Sequence, residues 1–152
     1  MIRILFLCHG NICRSPMAEM IFNELAKNDR DKITADSMAV SAEEIGHPVY
    51  PEARDVLRAH GIPVSPHRAK QITREDYEAY DAVILMEEYN RGRLNRIIGA
   101  DDQQKVHLLM DFTDHPGDIE DPWYSGNFDR VFEQITEGCR GVYTYWKGRD
   151  FV

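Results

Sequence analysis

The sequence has few cysteines, no excess of basic residues and no long apolar stretch. Its three cysteines are an odd number and too few for the disulfide framework of a small secreted protein. Against 26 acidic residues stand 18 Lys and Arg, and the net charge of −8 argues against a nucleic-acid binder, which would present a basic face. No apolar run approaches the length of a membrane span. These absences predict a cytoplasmic protein that binds neither nucleic acid nor membrane.

Internal repeats, low-complexity tracts and interdomain linkers are also lacking. The opening residues 1–7 are apolar except for Arg3, but the apolar run is too short for a signal peptide and no small-residue cleavage site follows it. The chain has 152 residues, 43% of them hydrophobic and 29% charged, as in a soluble globular protein with one sizeable core. We therefore expect a single domain over residues 1–152.

Short apolar runs alternate with amphipathic segments along the chain. The runs predict strands at 4–7, 33–40, 81–86 and 105–110. Helical spacing predicts helices at 17–27, 52–60, 74–80, 88–98 and 128–146, with loops at 41–51, 62–73 and 111–123. This alternation predicts an α/β fold: a doubly wound, four-stranded parallel sheet flanked by helices. In such folds ligands bind beyond the carboxyl ends of the strands.

The segment after the first strand carries the clearest chemistry. Residues 8–15 read Cys-His-Gly-Asn-Ile-Cys-Arg-Ser, and Pro16 after a potentially capping Ser15 predicts the start of a helix. Backbone N–H groups and the helix dipole at such a junction favour an anion. Cys8 adds a thiol, whose thiolate is favoured there, and Arg14 adds a guanidinium that grips an oxyanion bidentately. The combination predicts the phosphate-binding loop of a covalent phosphatase.

The Cys-x5-Arg spacing by itself is a weak signal. A cysteine at the end of a strand also packs as a small hydrophobe, without any catalytic role. The surroundings favour the functional interpretation: a strand before the loop, a helix after it, Gly10 where we expect the backbone to turn tightly, and a serine beside the arginine.

Residues 8–19 resemble the signature of the low-molecular-weight protein tyrosine phosphatases. Near the C-terminus, residues 121–124 (Asp-Pro-Trp-Tyr) resemble the segment that carries the general acid of that family, and segments 36–37, 67–69 and 71–73 also match. The resemblance implies a tyrosine phosphatase that forms a cysteinyl-phosphate intermediate. Because the loop supplies its own positive charge, we expect neither a metal nor a cofactor.

The resemblance also implies residue roles. Cys8 is the expected nucleophile, Arg14 the phosphate clamp and Asp121 the general acid. The remaining residues of the phosphate-binding loop are His9, Gly10, Asn11, Ile12, Cys13 and Ser15. For Asp121 there is an alternative, because Asp-Pro pairs commonly open turns.

Further residues are expected to support the loop. Asn11 tolerates left-handed backbone geometry, and the resemblance implies that it holds the loop together with Ser37, while His67 anchors it by a hydrogen bond. Cys13 is either a buried filler or a thiol that forms a disulfide with Cys8 under oxidation, and the resemblance favours the disulfide.

The expected substrate is a phosphotyrosine-containing protein or a small aryl phosphate, with inorganic phosphate as product. Trp123 and Tyr124 are either core aromatics or, as we prefer, walls of a slot for the aromatic ring. In the family, Ile12 faces this slot, and a Thr there accompanies phosphoarginine activity in some relatives. Ile12 therefore favours phosphotyrosine over phosphoarginine. Glu43, followed by Glu44, stands where many relatives carry an aromatic residue, so we expect acidic flanking residues to be disfavoured.

Two rival functions fit the sequence less well. Thioredoxin-coupled arsenate reductases of the same fold need two further cysteines in the middle of the chain, and none lies between Cys13 and Cys139. A non-catalytic phosphate-binding module would be expected to lack Cys8 or Asp121, and both are present.

Overall fold

The computed structural model describes residues 1–149, so residues 150–152 of the predicted domain lie outside the described part of the chain. Four parallel strands form one sheet in the order β2-β1-β3-β4. The strands are β1 (Ile2–Cys8), β2 (Ile33–Ala39), β3 (Ala82–Leu85) and β4 (Val106–Leu108). The α-helices are α1 (Arg14–Leu25), α2 (Pro51–Ala59), α3 (Arg74–Ala79), α4 (Tyr89–Ile98), α5 (Pro122–Ser125) and α6 (Phe128–Lys147). None of these helices is long and apolar enough to cross a membrane.

The central strand β1 is buried on both faces. Ile4 and Phe6 pack into a core shared with α1, α2 and α6, whereas Leu5 and Leu7 pack into a second core shared with α3 and α4. Alternation of side chains between the two faces produces both cores from one apolar run. The predicted doubly wound parallel sheet is therefore confirmed. Because β2 and β3 flank β1 on opposite sides, the carboxyl end of β1 lies at the switch point where such folds bind ligands.

The boundaries of several elements differ from the prediction. The fourth strand, predicted over 105–110, ends at Leu108 because it pairs only with the short β3, and a 3-10 turn at Leu109–Phe112 follows it. The first helix, predicted over 17–27, begins at Arg14 and ends at Leu25, before a 3-10 turn at Lys27–Asp29. The predicted loop 111–123 contains the second half of the Leu109–Phe112 turn and the start of α5.

Two glycines allow α6 to approach the chain closely. A Cβ atom on Gly138 would overlap the side chain of Leu109, and one on Gly141 would overlap the carbonyl oxygen of Phe112. A side chain at Gly141 would have to displace backbone, which cannot move aside as a flexible side chain can. The glycines therefore set the distance between α6 and the turn after β4.

We predict that Gly141→Ala lowers the free energy of unfolding by about 1–3 kcal/mol through overpacking against Phe112. Gly92→Ala in α4 is the matched control, because nothing lies within 4 Å of a Cβ atom built there. The control should gain up to about 1 kcal/mol from the higher helix propensity of alanine. Urea denaturation of the two variants measures both changes. A stabilised Gly141→Ala variant would contradict the close approach of α6.

Candidate active site

The loop between β1 and α1 turns at Asn11, which adopts a left-handed conformation with φ 60°. Gly10 lies within the same bend of the backbone, as predicted, but it does not itself adopt a positive φ. A Cβ atom on Gly10 would lie 3.2 Å from Cγ of Glu44. The absence of a side chain at Gly10 therefore makes room for Glu44, in the loop between β2 and α2, and Asn11 adopts the left-handed conformation of the turn.

Ser15 does not cap the helix as predicted. The helix begins at Arg14, one residue before Ser15, and Cys13 is at its N-cap position without a side-chain cap. The buried Ser15 hydroxyl oxygen instead accepts a hydrogen bond from Asn11 Nδ2 (2.8 Å) and lies 3.0 Å from the Sγ atom of Cys8. The hydroxyl hydrogen has two acceptors within reach, the Sγ atom of Cys8 at 3.0 Å and the carbonyl oxygen of Met38 at 3.4 Å, and the sulfur is the nearer of the two.

The sulfur of Cys8 lies at the carboxyl end of β1, within the loop. In addition to the Ser15 hydroxyl, the backbone N–H of Asn11 donates to Sγ (3.2 Å). These groups and the N-terminus of α1 surround the sulfur with partial positive charge. The thiol of Cys13 behaves differently: burial and then the negative charge of Cys8 raise its pKa, so that it stays protonated at neutral pH. Cys8 and Cys13 are both free thiols, and their disulfide stays a prediction.

The guanidinium of Arg14 is buried and held from three directions. It is 2% exposed. Nη1 donates to the carbonyl oxygen of Ile119 (3.0 Å), Nη2 donates to Oε1 of Glu87 (3.1 Å), and Nη2 lies 3.5 Å from Oδ2 of Asp121. Burial lowers the pKa of Arg14, but the charges of Cys8, Glu87 and Asp121 more than offset this effect and raise it overall. The side chain is therefore a fixed positive charge beside the sulfur.

Asp121 combines the two interpretations that its sequence context allowed. Its Oδ1 atom accepts a hydrogen bond from the backbone N–H of Trp123 (3.0 Å) and so caps the short helix α5, in which Pro122 is the first residue. Its Oδ2 atom faces the guanidinium of Arg14. The turn at Asp-Pro is therefore what aims the carboxylate at the loop.

Cys8, Arg14 and Asp121 line one cavity of about 150 Å³. The other lining residues are His9, Gly10, Asn11, Ile12, Cys13, Glu43, Glu44, Trp123 and Tyr124. These include all the residues predicted to form the slot. Ile12 is 9% exposed and forms the floor, whereas Trp123 and Tyr124 are 51% and 86% exposed at the rim. Across the mouth, a ring nitrogen of His9 lies 2.9 Å from Oε2 of Glu43.

The side chain of Asn11 holds the loop through all of its polar atoms. Its Nδ2 donates to Ser15 and to the hydroxyl of Ser37 (3.0 Å), and its Oδ1 accepts from the backbone N–H of Lys70 (3.2 Å). Its carbonyl oxygen lies 2.8 Å from Nε2 of His67, which must therefore carry a hydrogen. Burial lowers the pKa of His67, so the ring is neutral at neutral pH. The left-handed turn is thus tied to strand β2 and to the segment between α2 and α3.

No group of three or more His, Cys, Asp and Glu side chains within residues 1–149 is arranged to hold a metal ion.

Similarity to known proteins agrees with this geometry. The model of the low molecular weight phosphotyrosine protein phosphatase family matches residues 3–148. This chain belongs to that family. It is 38% identical over 143 residues to the low molecular weight protein-tyrosine-phosphatase YfkJ of Bacillus subtilis, covering 91% of this chain and 92% of that protein. It is 36% identical over 154 residues to the human low molecular weight phosphotyrosine protein phosphatase, covering 90% of each.

The crystal structure of YfkJ superposes with a TM-score of 0.93 at 36% identity, covering 97% of this chain and 96% of that one. The resemblance seen in the sequence is therefore confirmed, together with protein-tyrosine phosphatase as the enzyme class. The sequence of this phosphatase did not, however, reveal two acidic residues that contribute to its site, Glu87 and Glu19.

Glu87 lies directly beyond the carboxyl end of β3 and accepts a hydrogen bond from Arg14. Its backbone N–H is held by Oδ1 of Asn90 (3.1 Å), so its position is well defined. A signal for it was present in the sequence, because the carboxyl ends of neighbouring parallel strands meet at one edge of the sheet. A carboxylate directly after the third strand was therefore a candidate partner for the arginine that follows the first.

Glu19, on α1, is partly buried and does not extend into solvent. Its Oε1 atom accepts a hydrogen bond from the Ser37 hydroxyl (2.6 Å). The Ser37 hydroxyl accepts a hydrogen bond from Asn11 and gives its own hydrogen to Glu19. A chain of hydrogen bonds through Ser37, Asn11 and Ser15 therefore links the Glu19 carboxyl to Cys8. Burial raises the pKa of Glu19 to about 7, although the hydrogen bond from Ser37 opposes the rise.

The raised pKa of Glu19 predicts a pH-dependent stability. The folded state binds this proton more tightly than the unfolded chain does, so its contribution is complete below the unfolded pKa of about 4.5 and is lost as the pH rises through about 7. Glu19→Gln removes the titration. The wild type should therefore lose stability between pH 4.5 and pH 8 while Glu19→Gln does not. The free energy of unfolding of Glu19→Gln minus that of the wild type should increase over this range by roughly 3 kcal/mol at most.

Urea denaturation across this pH range measures the difference between the two proteins. Glu24→Gln is the matched control on the same helix, where Glu24 forms an ion pair with Lys27 at the surface. The control should show a nearly constant difference from the wild type. A constant difference for Glu19→Gln as well would contradict the buried environment of this carboxyl group.

Proposed function

We propose that this chain hydrolyses phosphotyrosine monoesters through a cysteinyl-phosphate intermediate, with Cys8 as nucleophile, Arg14 as phosphate clamp and Asp121 as general acid. One observation carries the proposal: a sulfur that receives two hydrogen bonds faces the same small cavity as a buried guanidinium and a carboxylate 3.5 Å from that guanidinium. A phosphate dianion with an aryl group matches this set of nucleophile, positive charge and acid.

The first chemical step transfers the phosphoryl group to the enzyme. The thiolate of Cys8 attacks phosphorus in line with the aryl oxygen, so that an S–P bond forms as the P–O bond to the ring breaks. The equatorial oxygens are held by the loop N–H groups and by Arg14. Asp121, protonated in this step, gives its proton to the departing phenolate and is left as a carboxylate.

The second step releases inorganic phosphate. Water attacks phosphorus on the face that the phenol has left, Asp121 takes a proton from the water, and the S–P bond breaks to restore the thiolate of Cys8. The hydrogen bonds from the Ser15 hydroxyl and the Asn11 backbone stabilise the thiolate as a leaving group in this step. Each group thus returns to its starting state after one turnover.

The cavity supports an aromatic substrate. Ile12 at the floor and Trp123 at the rim offer apolar surface to a ring. Ile12 also supports phosphotyrosine over phosphoarginine, because it presents no hydrogen-bonding group to a guanidinium. We propose a phosphotyrosine-containing protein or a small aryl phosphate as substrate, without a cofactor or metal and with no nucleic-acid or membrane partner.

We further propose that residues 1–152 act as one phosphatase domain in the cytoplasm. The match of the family model to residues 3–148 supports one domain. The three free cysteines support a reducing compartment.

The proposal predicts the effect of two substitutions on the hydrolysis of p-nitrophenyl phosphate. Cys8→Ser should abolish activity, because a serine hydroxyl is not ionised at neutral pH and the nucleophile is lost. Asp121→Asn should lower kcat by about 10²- to 10⁴-fold, because an amide cannot donate the proton. Steady-state assays without added metal measure both effects, and addition of a chelator should change neither the wild type nor the variants.

Matched substitutions of the same residue types serve as controls. Cys139→Ala, in the buried face of α6, and Asp114→Asn, in the exposed part of the loop before α5, should retain wild-type activity. Full activity of Cys8→Ser, or loss of wild-type activity on chelation, would overturn the mechanism.

The acidic rim predicts a preference among peptide substrates. Glu43 and Glu44 line the mouth of the cavity, and the Glu43 side chain is 63% exposed. Acidic residues beside phosphotyrosine should be repelled there, so kcat/KM for peptides with acidic flanks should be several-fold below that for basic flanks at low salt, and the difference should shrink as salt screens it.

Glu43→Gln and Glu44→Gln should each reduce this preference. Glu75→Gln, an exposed residue of α3 outside the cavity, is the control and should leave the preference unchanged. Equal kcat/KM values for acidic and basic flanks in the wild type would reject the proposed role of the rim.

A further inference from the structure

The segment that carries Asp121 is anchored on one side more firmly than on the other. Before it, the backbone N–H of Ile119 donates to the carbonyl oxygen of Met86 (2.9 Å), and Pro122 after it is buried. Residues 123–127 are exposed. The Asp121 carboxylate is nevertheless bonded to the N–H of Trp123, so the position of the exposed Trp123 determines where the carboxylate points.

Tyr50, at the N-cap position of α2, contacts Trp123. The two rings are tilted, with their centroids 4.7 Å apart, and the Tyr50 ring also stacks on Phe128 at 6.0 Å. Trp123 belongs to α5 and Phe128 is the first residue of α6. Tyr50 therefore contacts both of the helices that follow Asp121.

Tyr50 is also fixed to the phosphate-binding loop. Its backbone N–H donates to the carbonyl oxygen of Ile12 (2.9 Å). Its ring packs against a small apolar cluster formed by Ile12, Cys13 and Ala69. One residue therefore joins the loop that holds the nucleophile, through its backbone, to the segment that holds the acid, through its ring.

We propose that Tyr50 is a positioning residue that sets the distance between Asp121 and the phosphate-binding loop through its contact with Trp123. This inference rests on the proposed role of Asp121 as the acid. Proton transfer to the leaving group requires the carboxyl to lie within hydrogen-bond reach of the aryl oxygen, and a displacement of about 1 Å is costly to the rate. The ring of Tyr50 limits such a displacement at the exposed end of the segment.

The position of an acid is tested by the leaving group rather than by the overall rate. Phenyl phosphate needs a proton at the departing oxygen, p-nitrophenyl phosphate needs it less, and 2,4-dinitrophenyl phosphate leaves as a stable anion. The quantity to compare across these three substrates is kcat/KM, because it reports the steps up to formation of the phosphoenzyme. Tyr50→Leu should lower kcat/KM about tenfold for phenyl phosphate and leave that for 2,4-dinitrophenyl phosphate within about twofold of the wild type.

Tyr50→Phe keeps the ring and should restore the wild-type dependence on the leaving group. Tyr145→Leu removes an aromatic ring from α6, next to Phe112. This variant is the control and should leave the dependence on the leaving group unchanged. If Tyr50→Leu does not fold, Tyr50→Met, whose flexible apolar side chain adapts to irregular space but lacks the ring, should show the same selective loss. An equal loss across the series, or no loss, in the folded variant overturns the positioning role.

Asp121→Asn, measured in the same series, separates the two hypotheses. If kcat/KM of Asp121→Asn depends steeply on the leaving group while that of Tyr50→Leu behaves like the wild type, the assignment of the acid stands and the role of Tyr50 is rejected. If Asp121→Asn shows no such dependence, the proposed acid is itself wrong, and the positioning role falls with it.

Discussion

The buried positive charge of Arg14 is the constraint on which the site depends. Removing a guanidinium from water costs several kcal/mol unless other groups compensate it. Glu87, Asp121 and the carbonyl oxygen of Ile119 provide that compensation here. Glu87 follows β3, and the other two lie just before α5. Compensation of one charge therefore brings two distant parts of the chain to the end of β1.

This arrangement also places Asp121, the proposed acid, next to Arg14, the proposed phosphate clamp. Asp121 reaches Arg14 with one carboxylate oxygen, while the other caps α5. A phosphoryl group that enters the loop meets a guanidinium already shared with carboxylates, so the backbone N–H groups of the loop contribute to its binding as well. Phosphate binding and acid catalysis thus share the same local charges.

The loop keeps its shape because its central polar side chain is fully bonded. Asn11 adopts a left-handed conformation and uses both Nδ2 hydrogens and Oδ1 in hydrogen bonds. A buried network in which each group is satisfied is rigid, and it fixes the direction of each hydrogen bond. At one end the Ser15 hydroxyl lies 3.0 Å from the sulfur of Cys8, nearer than the 3.4 Å to the carbonyl oxygen of Met38. At the other end the partly buried Glu19 accepts a hydrogen bond from Ser37.

The sequence by itself determined the parallel sheet, the order of its elements and the position of the loop, because apolar periodicity and the Cys-x5-Arg segment are local features. It also pointed to Asp121 through a resemblance in residues 121–124. It did not determine that Ser15 bonds to sulfur rather than capping a helix, or that Glu19 is partly buried. Those outcomes, like the partnership of Glu87 with Arg14 and the contact of Tyr50 with Trp123, depend on which segments the sheet brings together. Only the tertiary structure decided them, because hydrogen bonds and ring contacts between residues far apart in the chain leave no periodic pattern in it.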